Sequence, residues 1–297
     1  MSQIKCSVVI GCYNQLEPLK QVLPEYSKQS ISKDLFEVIL VDSTSTDGSL
    51  DFYKAYEVDY NLVVHVQENK GKVGARNKGV ALAKGAIILI TDADMIPDPD
   101  LIKEHITAHE TANSLSCFQG YAQNISHLEW PISSATLSPQ VGSNPKHMAK
   151  LGWYYFLTGN LSMPKILFEK EEGFNYAFQG YGWEDLELGY RLYKKKVPLY
   201  YLKSAKNFHY HVITKDEEIE RNVGKGKSAQ TFLKLHPELK WFLGGNPVSL
   251  YLYKRIKKSG AFYQRMQQWY KAKQNWQHKF AFWFLKEHQY LSGFLSK

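Results

Sequence analysis

At 297 residues, the chain has room for one large α/β domain, with or without a substantial appendage. Its first apolar run, residues 6–10, is too short for a signal peptide, and no run approaches the ~20 residues that span a bilayer. Cys6, Cys12 and Cys117 lack metal or disulfide spacing and read as reduced core residues of a cytoplasmic protein, while a net charge of +8 suits nucleic acid, anionic lipid or a phosphorylated donor without choosing among them.

In chain order, residues 6–10, 36–41, 62–66 and 86–91 have the length and β-branched content of strands. Residues 16–28, 49–56 and 74–83, which lie between them, have helical pattern. That alternation predicts a parallel sheet of βαβ units with its ligand site at the strands' carboxyl ends. The polar clusters fall there: residues 11–14 after the first strand, 42–48 after the second, 69–77 after the third and 92–94 after the fourth. Beyond Pro97 the spacing predicts a helix over residues 100–113, and residues 132–146 have the polar composition of a mobile lid. Residues 180–191 then open on glycines and continue as an acidic amphipathic helix. From residue 251 onward the chain is rich in Lys, Arg, Trp, Tyr and Phe, which marks a separate element.

Each cluster has a chemical reading beside a plainer one. Alternation along ITDAD puts Asp92 and Asp94 on one side of the strand end, where hard oxygen ligands can hold Mg²⁺ or Mn²⁺ against a diphosphate; such carboxylates also serve in turns. In NKGKVGARNKG, backbone N–H groups and Arg76 suit phosphate oxygens, or the glycines only form a tight turn. Asp42 can accept from a uracil imide or cap the next helix. In GYGWEDLELGYRL, Glu184 or Asp185 can face a cleft and deprotonate an acceptor hydroxyl while Tyr181 and Trp183 stack on sugar rings. The alternative is two carboxylates complementing a helix dipole. In NFHYH, His209 or His211 can supply an imidazole to the metal, or either can be structural.

In this order, the Tyr13-Asn14 ending of the first strand, the acidic end of the second, the Ala75-Arg76-Asn77 triplet, the D-x-D and the G-x-G-x-E-D cluster resemble family 2 glycosyltransferases of the GT-A fold. The carboxyl-terminal half is similar to the galactosyltransferase and chondroitin-polymerase type, and the resemblance covers roughly residues 6–240. It implies a Rossmann-like, mostly parallel sheet flanked by helices. By that resemblance Gly11, Tyr13, Asn14, Asp42, Arg76, Asp92 and Ala93 bind the donor; Asp94, Asp92 and His209 hold the metal, His209 being preferred over His211 for its spacing to Arg221. Asp185 is the base with Glu184 beside it, and Asn160, Tyr181 and Trp183 meet the acceptor. Gly11 replaces a usual proline without consequence, whereas Ser43 replaces a frequent second aspartate, which weakens the choice of uracil over guanine or thymine.

The implied reaction is inverting, Mn²⁺- or Mg²⁺-dependent transfer from a nucleoside-diphosphate sugar, with UDP favoured, to a hydroxyl of a saccharide, lipid-linked or protein acceptor in surface polysaccharide or glycoconjugate synthesis. The expected division is a catalytic domain over residues 1–240, with a nucleotide half at 1–115 and an acceptor half at 116–240, and a helical extension at 241–297. The basic, aromatic extension suits the inner face of an anionic membrane, or packs on the domain or on a second subunit. The competing readings are an inactive sugar-nucleotide or carbohydrate module and a nucleotidyltransferase; the latter calls for a basic, glycine-rich signature where this chain has GCYNQ. Nucleic acid is disfavoured because the basic tail accompanies a complete candidate site.

Overall fold

The computed structural model describes residues 3–125, 132, 137–138, 144–210, 214–272 and 275–296. These form two compact units: residues 1–176 with 184–212, and residues 177–183 with 213–297. The boundary expected near residue 240 falls inside the second unit.

The first unit is built on one mixed sheet. Its first four strands are β1 (Cys6–Cys12), β2 (Phe36–Asp42), β3 (Asn61–Val66) and β4 (Ile87–Asp92). They lie parallel in the order β3-β2-β1-β4. β1 and β2 are buried along nearly their whole length, as expected of central strands covered on both faces, whereas β3 lies at the edge and is buried nowhere. The crossovers are α1 (Leu16–Ser27), α2 (Ser49–Ala55) and α3 (Gly71–Leu82), each close to its predicted span.

Helix α3 sits hard against β1. A Cβ on Gly79 would overlap the Val9 side chain, and one on Gly11 would lie 3.0 Å from the Ala75 Cβ. Two glycines, one on each element, thus bring Arg76 down to the strand ends.

The sheet continues through β5 (Met95–Pro97), the helix α4 (Leu101–Thr111), β6 (Cys117–Asn124), β7 (Lys150–Leu151), β8 (Leu161–Pro164), a short α5 (Lys165–Lys170), α6 (Glu184–Lys194) and β9 (Leu199–His209). Beyond β4 the order is β8-β6-β9-β5, with β7 also on β9. β8 runs antiparallel to β4 and β6, β6 and β9 are parallel, and β5 is antiparallel to β9. This second half reads poorly from periodicity, because its strands are short and their polar positions turn inward. Asn160, Ser162 and Asn207 are all fully buried.

The second unit holds α7 (Lys215–Leu235), α8 (Pro247–Lys258), α9 (Gly260–Lys271) and α10 (Trp276–Phe294). Thr214 and Glu217 form a capping box at the start of α7. A Cβ on Gly226 or Gly293 would overlap the backbone of the facing helix, so α7 and α10 cross at backbone distance. Ile219, Met266, Ala281, Phe284 and Leu285 form the shared core. Most of the expected lid lies outside the described residues.

Candidate active site

The site forms where β1, β2 and β4 end, as the rule for parallel sheets requires. Its centre is Arg76, 2 % exposed. Its Nη2 donates to Asp92 Oδ1 at 2.7 Å and its Nη1 to Glu184 Oε1 at 3.0 Å. The Phe174 ring lies 5.8 Å from the guanidinium carbon. Burial disfavours the charge on Arg76, but Asp92, Glu184 and Asp185 more than offset it and raise its pKa. Burial likewise opposes ionisation of Asp92, yet Lys72 and Arg76 hold its carboxyl well below the usual range. Lys72 is four residues before Arg76, on the same face of α3. Asn77, the last of the A-R-N triplet, pins α3 to the loop before α6 by donating to Phe174 O and accepting from Phe174 N.

Glu184 and Asp185 open α6. Trp183, just before them, has φ of 75°, a left-handed conformation rare outside glycine. Glu184 gives one oxygen to Arg76; its other, Oε2, is buried without a hydrogen-bond partner among the described residues. Asp185 accepts from the backbone N–H of Leu186 at 2.8 Å, and from that of Thr158. Burial, and then the adjacent Glu184 charge, push the Asp185 carboxyl up to about 7, against the opposing pull of Arg76. A carboxylate poised near neutrality is what a general base needs.

A second group forms through the β5–β9 pairing, which sets His209 opposite Met95 and has Tyr210 N donate to Asp94 O at 2.9 Å. His209 Nε2 then lies 3.4 Å from Asp94 Oδ2. Its Nδ1 donates to Asn124 Oδ1 at 2.9 Å. In the neutral ring, Nε2 is then a lone pair facing a carboxylate, a set that fits a divalent cation. Among the described residues no three His, Cys, Asp or Glu side chains converge on one point. Among the described residues, Asp94 and His209 are the two side chains that would hold such an ion, which would supply positive charge to a diphosphate. Asp92 faces Arg76 within this arrangement, and His211 lies outside the described residues.

Several of the other predicted residues also hold the loops around the strand ends. Asp42 is fully buried and accepts from Ser45 N at 2.7 Å, Ser45 Oγ at 2.8 Å and Tyr53 Oη at 3.0 Å, which makes it the anchor of the loop after β2. Asn14 (φ 52°) accepts from Thr46 N through its side chain and donates from its backbone to Ser45 Oγ. Tyr13 is exposed, Ala93 is buried in the turn between the two aspartates, and Gly11 pairs with both Val41 and Asp92. Asn160 is completely buried: its Nδ2 donates to Tyr121 O and Ala205 O, and its Oδ1 meets His105 Nε2 at 2.8 Å. It holds the backbone of its segment, while Thr158 two residues earlier reaches Asp185.

Tyr181 and Trp183 belong to the second unit. Arg221 and Lys225 lie over the Tyr181 ring, and Trp183 Nε1 donates to Lys225 O at 2.9 Å.

Sequence reading missed Lys72, Thr158, Phe174, Asn124 and His105, of which Lys72 carried a signal as part of the glycine-rich motif.

A sheet of this order, with a D-x-D at the end of its fourth strand and a carboxylate pair opening a later helix, has the GT-A architecture. The chain belongs to glycosyl transferase family 2, whose model matches residues 7–171. A second model, the N-terminal domain of galactosyltransferase, matches residues 141–215.

The chain is 29% identical over 223 residues to a validoxylamine A glucosyltransferase of Streptomyces hygroscopicus subsp. jinggangensis, covering 65% of this chain and 52% of that protein. It is 38% identical over 94 residues to a poly(ribitol-phosphate) beta-glucosyltransferase of Bacillus spizizenii, or 31% of this chain and 15% of that one. The chain thus spans about half the length, or less, of these relatives. Among solved structures, a mannosyltransferase from Pyrobaculum calidifontis in complex with GDP-Man and Mn²⁺ superposes with a TM-score of 0.64 at 15% identity, over 100% of this chain and 89% of its own. Staphylococcus aureus TarS 1–349 in complex with UDP-GlcNAc gives 0.60 at 15% identity, over 98% and 90%. At such identity these likenesses establish the shared fold.

Proposed function

We propose that this chain transfers a sugar from a nucleoside-diphosphate donor, UDP being favoured, to a hydroxyl acceptor with inversion at the anomeric carbon. The observation that carries the reading is Asp185, a carboxylate raised toward neutrality at the mouth of α6 and tied to the Arg76 cluster through Glu184. Asp185 removes the acceptor proton as the hydroxyl oxygen forms its bond to the anomeric carbon. The bond from that carbon to the diphosphate breaks, and its electron pair leaves with the nucleoside diphosphate. Arg76, charged and held from two sides, contributes positive potential where the diphosphate departs. Asp94 and His209 are the residues that would hold a divalent ion, which when bound neutralises the same leaving group. Glu184 Oε2, buried without a partner among the described residues, is placed to accept from a sugar hydroxyl.

A UDP donor and a metal are supported by a TarS structure with UDP-GlcNAc and by relatives with Mn²⁺. The poly(ribitol-phosphate) beta-glucosyltransferase relative lends support to a polyol-phosphate polymer as acceptor.

The deciding experiment is release of diphosphate from a panel of UDP-, GDP- and dTDP-sugars, with Mn²⁺ or EDTA, in wild type and in Asp94→Ala and Asp185→Asn. Metal-dependent release from one donor, lost in both variants, is expected. Donor binding without turnover in the presence of any acceptor would favour an inactive binding module.

A further inference from the structure

The net charge of +8 is unevenly placed. Residues 247–297 contain ten Lys and Arg against one acid, Glu287, and so carry +9 themselves; the preceding 246 residues are close to neutral. This whole excess falls on α8, α9, α10 and the segments around them, whose outward faces are apolar as well as basic.

On α10, Trp276, Phe280 and Trp283 recur at helical spacing and are 68%, 40% and 58% exposed. The patch continues onto α9. Trp276 meets Trp269 edge to face with centroids 5.6 Å apart, and the Arg265 guanidinium stacks on Trp269 at 5.1 Å. Phe280 and Trp283 touch at 5.9 Å. The result is one aromatic ridge across two helices, flanked by the exposed Lys279 and Lys271. On α8, Val248, Tyr251 and Leu252 form a second exposed apolar stripe, followed by the exposed cations Lys254 and Arg255.

This unit already has its core, in Ile219, Met266, Ala281, Phe284 and Leu285, against which Trp269 packs; Trp276, Phe280 and Trp283 are not among the residues packed on it and face outward. Large exposed apolar patches mark interaction sites.

We infer that the ridge on α9 and α10 and the stripe on α8 dock on an anionic lipid surface. Tryptophan beside lysine is the composition of the bilayer interface, where the rings sit at headgroup depth and the cations meet lipid phosphates. Single-stranded nucleic acid would use the aromatics and cations alike, but it gives no use to Val248 and Leu252. A second copy of this chain would bring another +9 against the first. Among the described residues, no helix is long and apolar enough to cross a membrane.

The test is co-sedimentation of the full chain with phosphatidylcholine vesicles, with and without about one-third phosphatidylglycerol. It needs no sugar donor, so it is read independently of the transfer chemistry. Binding to the anionic vesicles alone, weakened by salt and accompanied by a blue shift of tryptophan emission, is expected. Trp276→Ser/Trp283→Ser should weaken it at least tenfold, while Arg265→Gln/Lys279→Gln should flatten the salt dependence; both pairs are on the surface, and circular dichroism confirms that they fold. The inference is overturned if anionic vesicles leave the chain in the supernatant, if the tryptophan variant binds them as wild type does, if an oligonucleotide competes the chain off the vesicles, or if the tryptophan variant only turns a dimer into a monomer.

Discussion

Arg76 shows how much one buried cation must organise. Removing it by Arg76→Met leaves Glu184 buried without its counter-charge and Asp92 with Lys72 alone, and breaking such a buried pair costs about 3–5 kcal/mol. Urea denaturation should show this destabilisation, together with loss of turnover. Asp185 makes the opposite demand. Its carboxyl is raised to about 7, so the proton must leave before it can act as base. The sign is therefore fixed: kcat/KM should climb with pH through about 7 and level off above it. Asp185→Asn should lower kcat by about 10²–10⁴-fold with donor affinity retained. Because ionising Asp185 costs the fold stability above the ordinary carboxylate range, that same variant should melt at least as high as wild type at pH 8. Asn124→Ala tests the imidazole's support. It frees the His209 ring to turn and should weaken Mn²⁺ binding about 10–100-fold, read by calorimetric titration, with little change in melting temperature.

The elements carry a second set of constraints. α3 is placed by contact rather than by charge. Gly79→Ala would push its Cβ into Val9 and lift the helix that carries Arg76, at about 1–3 kcal/mol. α4 acts through hydrogen bonds: His105 on it meets Asn160 Oδ1 and Ser162 Oγ, both at 2.8 Å, and His109 also reaches Ser162 Oγ. His105→Leu should leave Asn160 Oδ1 buried without its donor and cost about 1–3 kcal/mol. The damage would reach the site through the backbone of residues 157–160, including Thr158. Mutant kinetics with a reduced kcat and an unchanged metal affinity would confirm that route.

For the whole molecule, those two histidines set how the fold meets acid. Burial lowers the pKa of His105 to about 4 and that of His109 to about 3, from an ordinary 6.5. Below 6.5 the unfolded chain takes up protons that the folded one refuses, so stability is complete above that value and falls as pH drops toward 4. Two such groups give a slope approaching about 2.7 kcal/mol per pH unit in that window; the raised Asp185, which holds its proton in the fold, opposes them by up to about 1.4, so a net fall of about 1.4 per unit is expected before the later losses from Asp92. Urea midpoints measured from pH 7.5 down to about 5 check this; a flat profile over that range would count against both histidines being buried neutral.

Periodicity alone located β1 to β4 and the three helices between them, because parallel strands buried on both faces and amphipathic crossovers leave a continuous local signature. The order of the motifs, from Tyr13-Asn14 through the two aspartates to Glu184-Asp185, was also legible, since each cluster sits at the end of its own element. What the chain could not disclose locally was which side chains meet. Asp92 and Asp94 look equivalent by alternation, yet the fold turns one to Arg76 and the other to His209, through a β5–β9 pairing that joins residues more than a hundred positions apart. Nor could the chain show locally that Asp42 and Asn160, singled out as ligand contacts, also anchor their loops, because burial and the donors around them are properties of packing. The basic tail was visible as composition, but the exposed ridge of Trp276, Phe280 and Trp283 was not. A helix shows which residues share a face; only its neighbours decide which face is left open.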